Sequence, residues 1–155
     1  MRLLLSLLLL GSLAFAQGPA PDYSKLSAKE LEVRADAFRS QKDTAAALQL
    51  YNRAIAKDRK NAVLYNKVGM ALLSQGQYEP ARRSFEKATK LNKEYPEAIN
   101  NLAWSCLQQG KSVEAVVIIE TAFRLGAKKQ PEILDTLERA RGQLPQTAFE
   151  KADHK

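Results

Sequence analysis

A chain of 155 residues with a single Cys is long enough for one modest core, and it can hold neither an internal disulfide nor a cysteine-based metal site. Its 24 Lys and Arg against 17 Asp and Glu give a formal charge of +7, which permits contact with nucleic acid or an anionic surface without specifying either. The one His, His154, stands at the far C-terminal end, and neither a Glu-x-x-His pair nor a Gly-rich phosphate loop occurs, so no catalytic, metal or cofactor site is expected.

Residues 1–16 come first. Arg2, the apolar run LLLSLLLLGSLAF and the small-x-small sequence Ala14-Phe15-Ala16 before Gln17 follow the order of a secretory signal. The run is shorter than the roughly 20 residues that span a bilayer, so cleavage is expected rather than a retained anchor. Gln17, where a lipoprotein would carry Cys, argues against a lipid anchor. No later stretch is long and apolar enough to cross a membrane, and the mature chain is expected to be periplasmic or secreted. Removing Arg2 takes the 24 basic residues to 23, a formal +6. An exported chain is not expected to meet nucleic acid, and the excess reads as a solvated basic surface.

Residues 17–27, which include QGPAPDYS, read as a flexible linker. Ser27 and Glu30 then have the spacing of a capping box, flanked by Leu26 and Leu31 as a hydrophobic staple. From here the chain repeats itself at an offset of 34 residues. Ala35, Gly69 and Ala103 align as small residues, and Phe38, Leu72 and Cys106 as apolar ones. Ala47, Ala81 and Ala115 are identical, as are Ala54, Ala88 and Ala122, while Tyr51, Phe85 and Ile119 align as large apolar residues. Each copy has room for two helices of about 13 residues, about 20 Å each, joined by a short turn. Gly76 and Gly110 fall where the first helix of a copy should stop, with Lys42 in that place in the first copy. Pro80 falls in the first turn of a second helix, where its missing N–H costs little. Small residues at a helix crossing let the two backbones approach. Cys106 is expected as a small core residue, and a buried thiol is a poor nucleophile.

This period and hairpin unit resemble the tetratricopeptide repeat family. The resemblance is carried in the middle copy by Tyr65, Val68, Gly69, Leu72, Gly76, Tyr78, Ala81, Phe85 and Ala88, and in the third by Ile99, Leu102, Ala103, Gly110, Ala115, Ile119 and Ala122. The first copy matches more weakly, through Leu31, Ala35, Phe38, Ala47, Tyr51 and Ala54. It implies an all-α, right-handed solenoid of three repeats over residues 28–127, with periods 28–61, 62–95 and 96–129. PEILDTLERARGQ, within residues 130–144, reads as a capping helix with Leu134, Leu137 and Leu144 as apolar contacts, and residues 145–155 as a frayed tail.

In such a solenoid the first helix of each unit lines the concave side. The helical period places Glu32, Asp36 and Arg39 there in copy one, and Asn66, Lys67, Met70, Leu73 and Ser74 in copy two. Copy three contributes Asn100, Asn101, Trp104, Leu107 and Gln108. Asn amides can bond a peptide backbone or be satisfied locally. Trp104 can anchor a partner or pack on its neighbour, and Met70 and Leu73 suit either a groove floor or the core. The family resemblance implies that this groove receives an extended peptide or a helix. It also raises the clamp by which one subclass holds the C-terminal carboxylate of chaperones, but Glu32 and Asp36 stand where that clamp wants cations and amides.

AVVIIETAF, residues 115–123, is apolar nearly all round, whereas the equivalent ARRSFEKAT is not. A helix apolar on every side is expected to be buried on every side, here by the helix from Pro131. Left uncovered, Val117 and Ile118 would mark a contact for a partner or a second copy. The resulting expectation is an exported, non-enzymatic adaptor or assembly factor of the cell envelope, binding a protein partner. Two alternatives stand beside it: self-association through the apolar third unit, and docking of an anionic polymer on the outer basic residues Arg82, Arg83, Lys87 and Lys90.

Overall fold

The computed structural model describes residues 22–144. The expected signal at 1–16, residues 17–21 of the expected linker and the expected tail at 145–155 lie outside the described residues. The described residues form seven helices and no strand: α1 (Ala28–Ser40), α2 (Thr44–Lys57), α3 (Ala62–Ser74), α4 (Tyr78–Leu91), α5 (Pro96–Leu107), α6 (Ser112–Arg124) and α7 (Pro131–Gly142). α1 starts at the expected capping box: Ser27 Oγ accepts from the Glu30 N–H at 3.2 Å, and the Glu30 carboxylate accepts from the Ser27 N–H at 2.9 Å.

The turns inside the three copies share one geometry. Lys42, Gly76 and Gly110 all take a left-handed backbone, with φ of 64°, 70° and 70°. The next residue in each case, Asp43, Gln77 or Lys111, donates its N–H back to Phe38, Leu72 or Cys106 at 2.9–3.0 Å. This is the 6→1 bond that closes a helix whose C′ residue is left-handed. The first copy therefore makes the same turn without glycine, and Lys42 bears a steric cost of about 1–2 kcal/mol for it.

The alanines repeated at the 34-residue offset are the contact points. Ala47, Ala81 and Ala115 are fully buried, as are Ala35, Ala54, Ala88 and Ala103. Around them Tyr51, Phe85 and Ile119 fill the space between the helices of each pair, all fully buried. Gly69 lies so close to the Phe85 ring that a Cβ would stand 2.5–2.8 Å from three of its carbons. Cys106 is buried, and burial, the largest influence on its thiol, pushes its pKa up, as a core role requires.

α7 packs Ile133, Leu137 and Ala140 against Ala103, Cys106, Leu107, Ala115 and Ile119. Ile133 is buried, whereas the expected contact Leu134 is 37% exposed. The expectation that α7 would cover all of α6 is corrected: Val113, Val117 and Leu125 remain 54–55% exposed. α7 lies beside α5 and takes only the adjoining side of α6, so the opposite side, toward α4, stays open. None of the described helices is long and apolar enough to cross a membrane.

Candidate partner-binding groove

The first helix of each unit and α7 stand side by side, joined by polar contacts at nearly the repeat spacing. Between α1 and α3, Lys67 Nζ reaches Glu32 Oε1 at 2.7 Å and bonds Asp36 Oδ2. Between α3 and α5, Asn101 Nδ2 donates to Asn66 Oδ1 at 3.0 Å. Between α5 and α7, the Thr136 hydroxyl donates to Asn100 Oδ1 at 2.6 Å. These bonds fix how each unit sits against the next along the wall that is concave in a solenoid.

The clasp around Lys67 sets the electrostatics of the first two units. Burial pushes the Glu32 carboxyl up, but hydrogen bonds from Lys67 and Lys29 outweigh it and leave the group below its ordinary range. Asp36 follows the same pattern, with Lys67 and the Tyr51 hydroxyl as donors. Lys67 is in turn held above the ordinary lysine value, because its two carboxylates outweigh its own burial. Burial and the bond to Asp36 push the Tyr51 phenol up to about 12. Lys67 is thus matched within the protein.

Several expected groove residues are consequently not free. Asn66 is only 4% exposed. Its amide donates to the Tyr95 hydroxyl at 3.3 Å and accepts from Asn101, so it is a brace between units rather than an open recognition group. Leu107 is buried among α6 and α7 residues, and Leu73 packs against Ala81, Phe85 and Leu102, so neither forms an open floor. The reason is the same for both: each reaches the helix that follows it, which the helical period of its own helix cannot show. Asn100 is held by Thr136, and Trp104 is half-buried with the Arg139 guanidinium 5.8 Å from its ring centre.

What remains open is coherent. Met70 is 39% exposed, and Gln108 and Ser74 are exposed at the helix ends. Arg39, Met70 and Ser74 meet Lys42 and Thr44 around a cavity of about 540 Å³. Three residues assigned to one wall by the helical period therefore line one concavity. Sequence reasoning missed Tyr51, Tyr95, Thr136 and Arg139 as wall groups. Tyr51 aligned with Phe85 and Ile119 as a large apolar residue, and its hydroxyl was the only signal of another role. Among the described residues no cluster of His, Cys, Asp and Glu suits a metal ion.

Comparison with known proteins agrees with this architecture. A family model described as a TPR repeat matches residues 35–76, and one described as a tetratricopeptide repeat matches residues 72–139. The chain belongs to the tetratricopeptide repeat family. Similar solved structures include the second TPR domain of human RPAP3 in complex with the HSP70 peptide SGPTIEEVD, at 24% identity and a TM-score of 0.64, covering 74% of this chain and 98% of that one. The Arabidopsis OM64 TPR domain matches at 19% identity and a TM-score of 0.68, over 76% of this chain and 97% of its own. The second TPR of Spaghetti (RPAP3), bound to the HSP90 peptide SRMEEVD, matches at 29% identity and a TM-score of 0.60, over 66% of this chain and 94% of its own. A search of curated proteins gave no match.

Proposed function

We propose that the protein is a protein–protein interaction module that receives a partner peptide or helix along the wall of α1, α3 and α5. The observation that carries this reading is the convergence of Arg39, Met70 and Ser74 on one cavity of about 540 Å³. Half-buried Trp104 and exposed Gln108 extend the same wall into the third unit. The inter-unit bonds hold the wall in shape before a partner arrives, which lowers the ordering cost of binding. Similar structures that carry bound HSP70 and HSP90 peptides support a peptide as the occupant. The acidic-tail specificity of those peptides is not carried over, because Lys67 is already clasped by Glu32 and Asp36.

Partner capture from the native extract should fall at least tenfold for Trp104→Ala, since aromatic anchors commonly cost about 2 kcal/mol or more. Met70→Lys is expected to act similarly. Both variants should keep wild-type circular dichroism. Undiminished capture by both folded variants would remove the wall as the binding surface. The chain is further proposed to act as an adaptor or assembly factor outside the cytoplasm, on the signal-like residues 1–16. Mass spectrometry of natively expressed protein should then find Gln17 at the N-terminus, and retention of Met1 would contradict export.

A further inference from the structure

We propose that the cleft between α4 and α6 is a second docking surface, built for an amphipathic partner helix with an apolar stripe and acidic flanks. The repeat supplies its own control. Ala45, Glu79 and Val113 are equivalent at the 34-residue offset, as are Gln49, Arg83 and Val117. In every copy the latter position is exposed: Gln49 is exposed, the Arg83 side chain is 63% exposed and Val117 is 54% exposed. Packing of the hairpin therefore does not require an aliphatic residue there, and only the third unit places valine at both sites.

These valines line a continuous trough. One cavity, about 500 Å³, is bounded by Leu102, Val113, Val117 and Ile118, and another of about 310 Å³ by Val117, Ile118, Thr121 and Leu125. They share Thr89, Val117 and Ile118. From Val113 to Leu125 the trough runs about 18 Å, roughly three turns of helix.

Its charge selects the occupant. Glu86 and Glu114 on its walls face Arg82, at 2.8 and 4.0 Å. Lys90 and Lys93 also line it, and neither is ion-paired among the described residues. Three cations, Arg82, Lys90 and Lys93, against two carboxylates, Glu86 and Glu114, leave the apolar trough a net charge of +1, which calls for carboxylates beside apolar anchors. The corresponding cleft between α2 and α4 is also partly apolar, through Leu48, Val68, Leu72 and Pro80, and differs chiefly in its cations. Its cations are engaged, Lys87 with the Tyr65 ring at 5.9 Å and Arg83 with Glu79 at 3.7 Å, and Asn52 and Ser84 stand on its walls.

The test uses natively expressed protein and a fluorescein-labelled synthetic helix of about 18 residues, long enough to overfill the trough, with leucines at i, i+3, i+4 and i+7 and glutamates on both flanks. A matched peptide carries lysine for each glutamate. Anisotropy should show saturable binding of the glutamate peptide and binding at least about tenfold weaker for the lysine peptide. Val117→Arg should reduce the former about tenfold, and the repeat already tolerates Arg at that position, as Arg83 shows. Lys90→Glu with Lys93→Glu should reverse the preference between peptides, while Trp104→Ala should leave it unchanged.

Equal binding of both peptides, absence of binding, or indifference to Val117→Arg overturns the proposal. Loss of binding in Trp104→Ala moves the peptide to the other wall. Sedimentation showing a wild-type dimer that Val117→Arg dissociates assigns the trough to a second copy instead. Binding that appears only after removal of residues 145–155 assigns it to the chain's own C-terminal segment. Each of those results also overturns the proposal, and only the Trp104→Ala result bears on the groove of α1, α3 and α5.

Discussion

Gly69→Val should destabilise the protein by about 2–3 kcal/mol, although replacing glycine in a helix interior is ordinarily favourable. Two effects compete. Removing Gly from a helix contributes up to about 1 kcal/mol when Ala replaces it, and less for a β-branched residue. Against this, even the first added carbon would stand 2.5–2.8 Å from the Phe85 ring. Phe85 is fully buried, with Ala81, Leu102, Leu72, Leu73 and Ile118 in the same cluster, so the ring has little room to retreat. Overpacking of this kind costs about 1–3 kcal/mol, occasionally more, and outweighs the gain in propensity. Gly69→Ala should lie between wild type and Gly69→Val. Adding Phe85→Leu to Gly69→Ala should cost less than the two single changes together, because the second removes the obstacle to the first. Urea unfolding measures all four variants. Stabilisation by Gly69→Val would contradict the close approach of α3 and α4.

Lys67→Met should cost about 2 kcal/mol at neutral pH. Removing one partner from a buried pair costs about 3–5 kcal/mol, because the remaining charge is left unmatched. The figure is lower here because the site is partly open: the Lys67 side chain is 22% exposed and that of Asp36 34%. Glu32, at 8% side-chain exposure, bears most of the loss.

The pH dependence has a definite sign. Glu32 and Asp36 lie below their ordinary values of 4.5 and 3.8 in the folded protein, so their contribution is complete above those values. It is lost as pH falls through the lower folded values. Lys67 lies above 10.5, so its contribution is complete below that value and is lost as pH rises through the higher one. The difference between wild type and Lys67→Met should therefore be full at pH 7 and shrink on acidification below about pH 4. An equal difference at pH 7 and pH 3 would show that Lys67 acts through packing alone.

These two sites also mark how far the sequence could be read. The 34-residue offset aligned Gly69 with Ala35 and Ala103, and Phe85 with Tyr51 and Ile119, and placed small residues at helix crossings, but it did not pair Gly69 with Phe85. The turn at Lys42 was visible as a position aligned with two glycines, and the chain makes the same left-handed bend there at a steric cost. By contrast, Lys67, Asn66 and Asn101 belong to bonds spanning 31–35 residues between neighbouring units. A helical period shows which face a residue takes and says nothing of what stands opposite. The bonds of Asn66 to Tyr95 and Asn101 were therefore not foreseen. The burial of Leu107 among α6 and α7 residues was hidden for the same reason. The run AVVIIETAF signalled something unusual, but its partial exposure depended on which side of α6 the last helix would take.

The most direct test of the proposed function is photocrosslinking from the wall itself. A benzophenone amino acid placed at Gln108 or Met70, both exposed on that wall, should capture a common partner in the native extract, identified by mass spectrometry. The same group at Gln49, exposed on the outer side of α2, should capture none. Crosslinks from Gln49 with none from Gln108 or Met70 would contradict the account and place recognition on the opposite face of the solenoid.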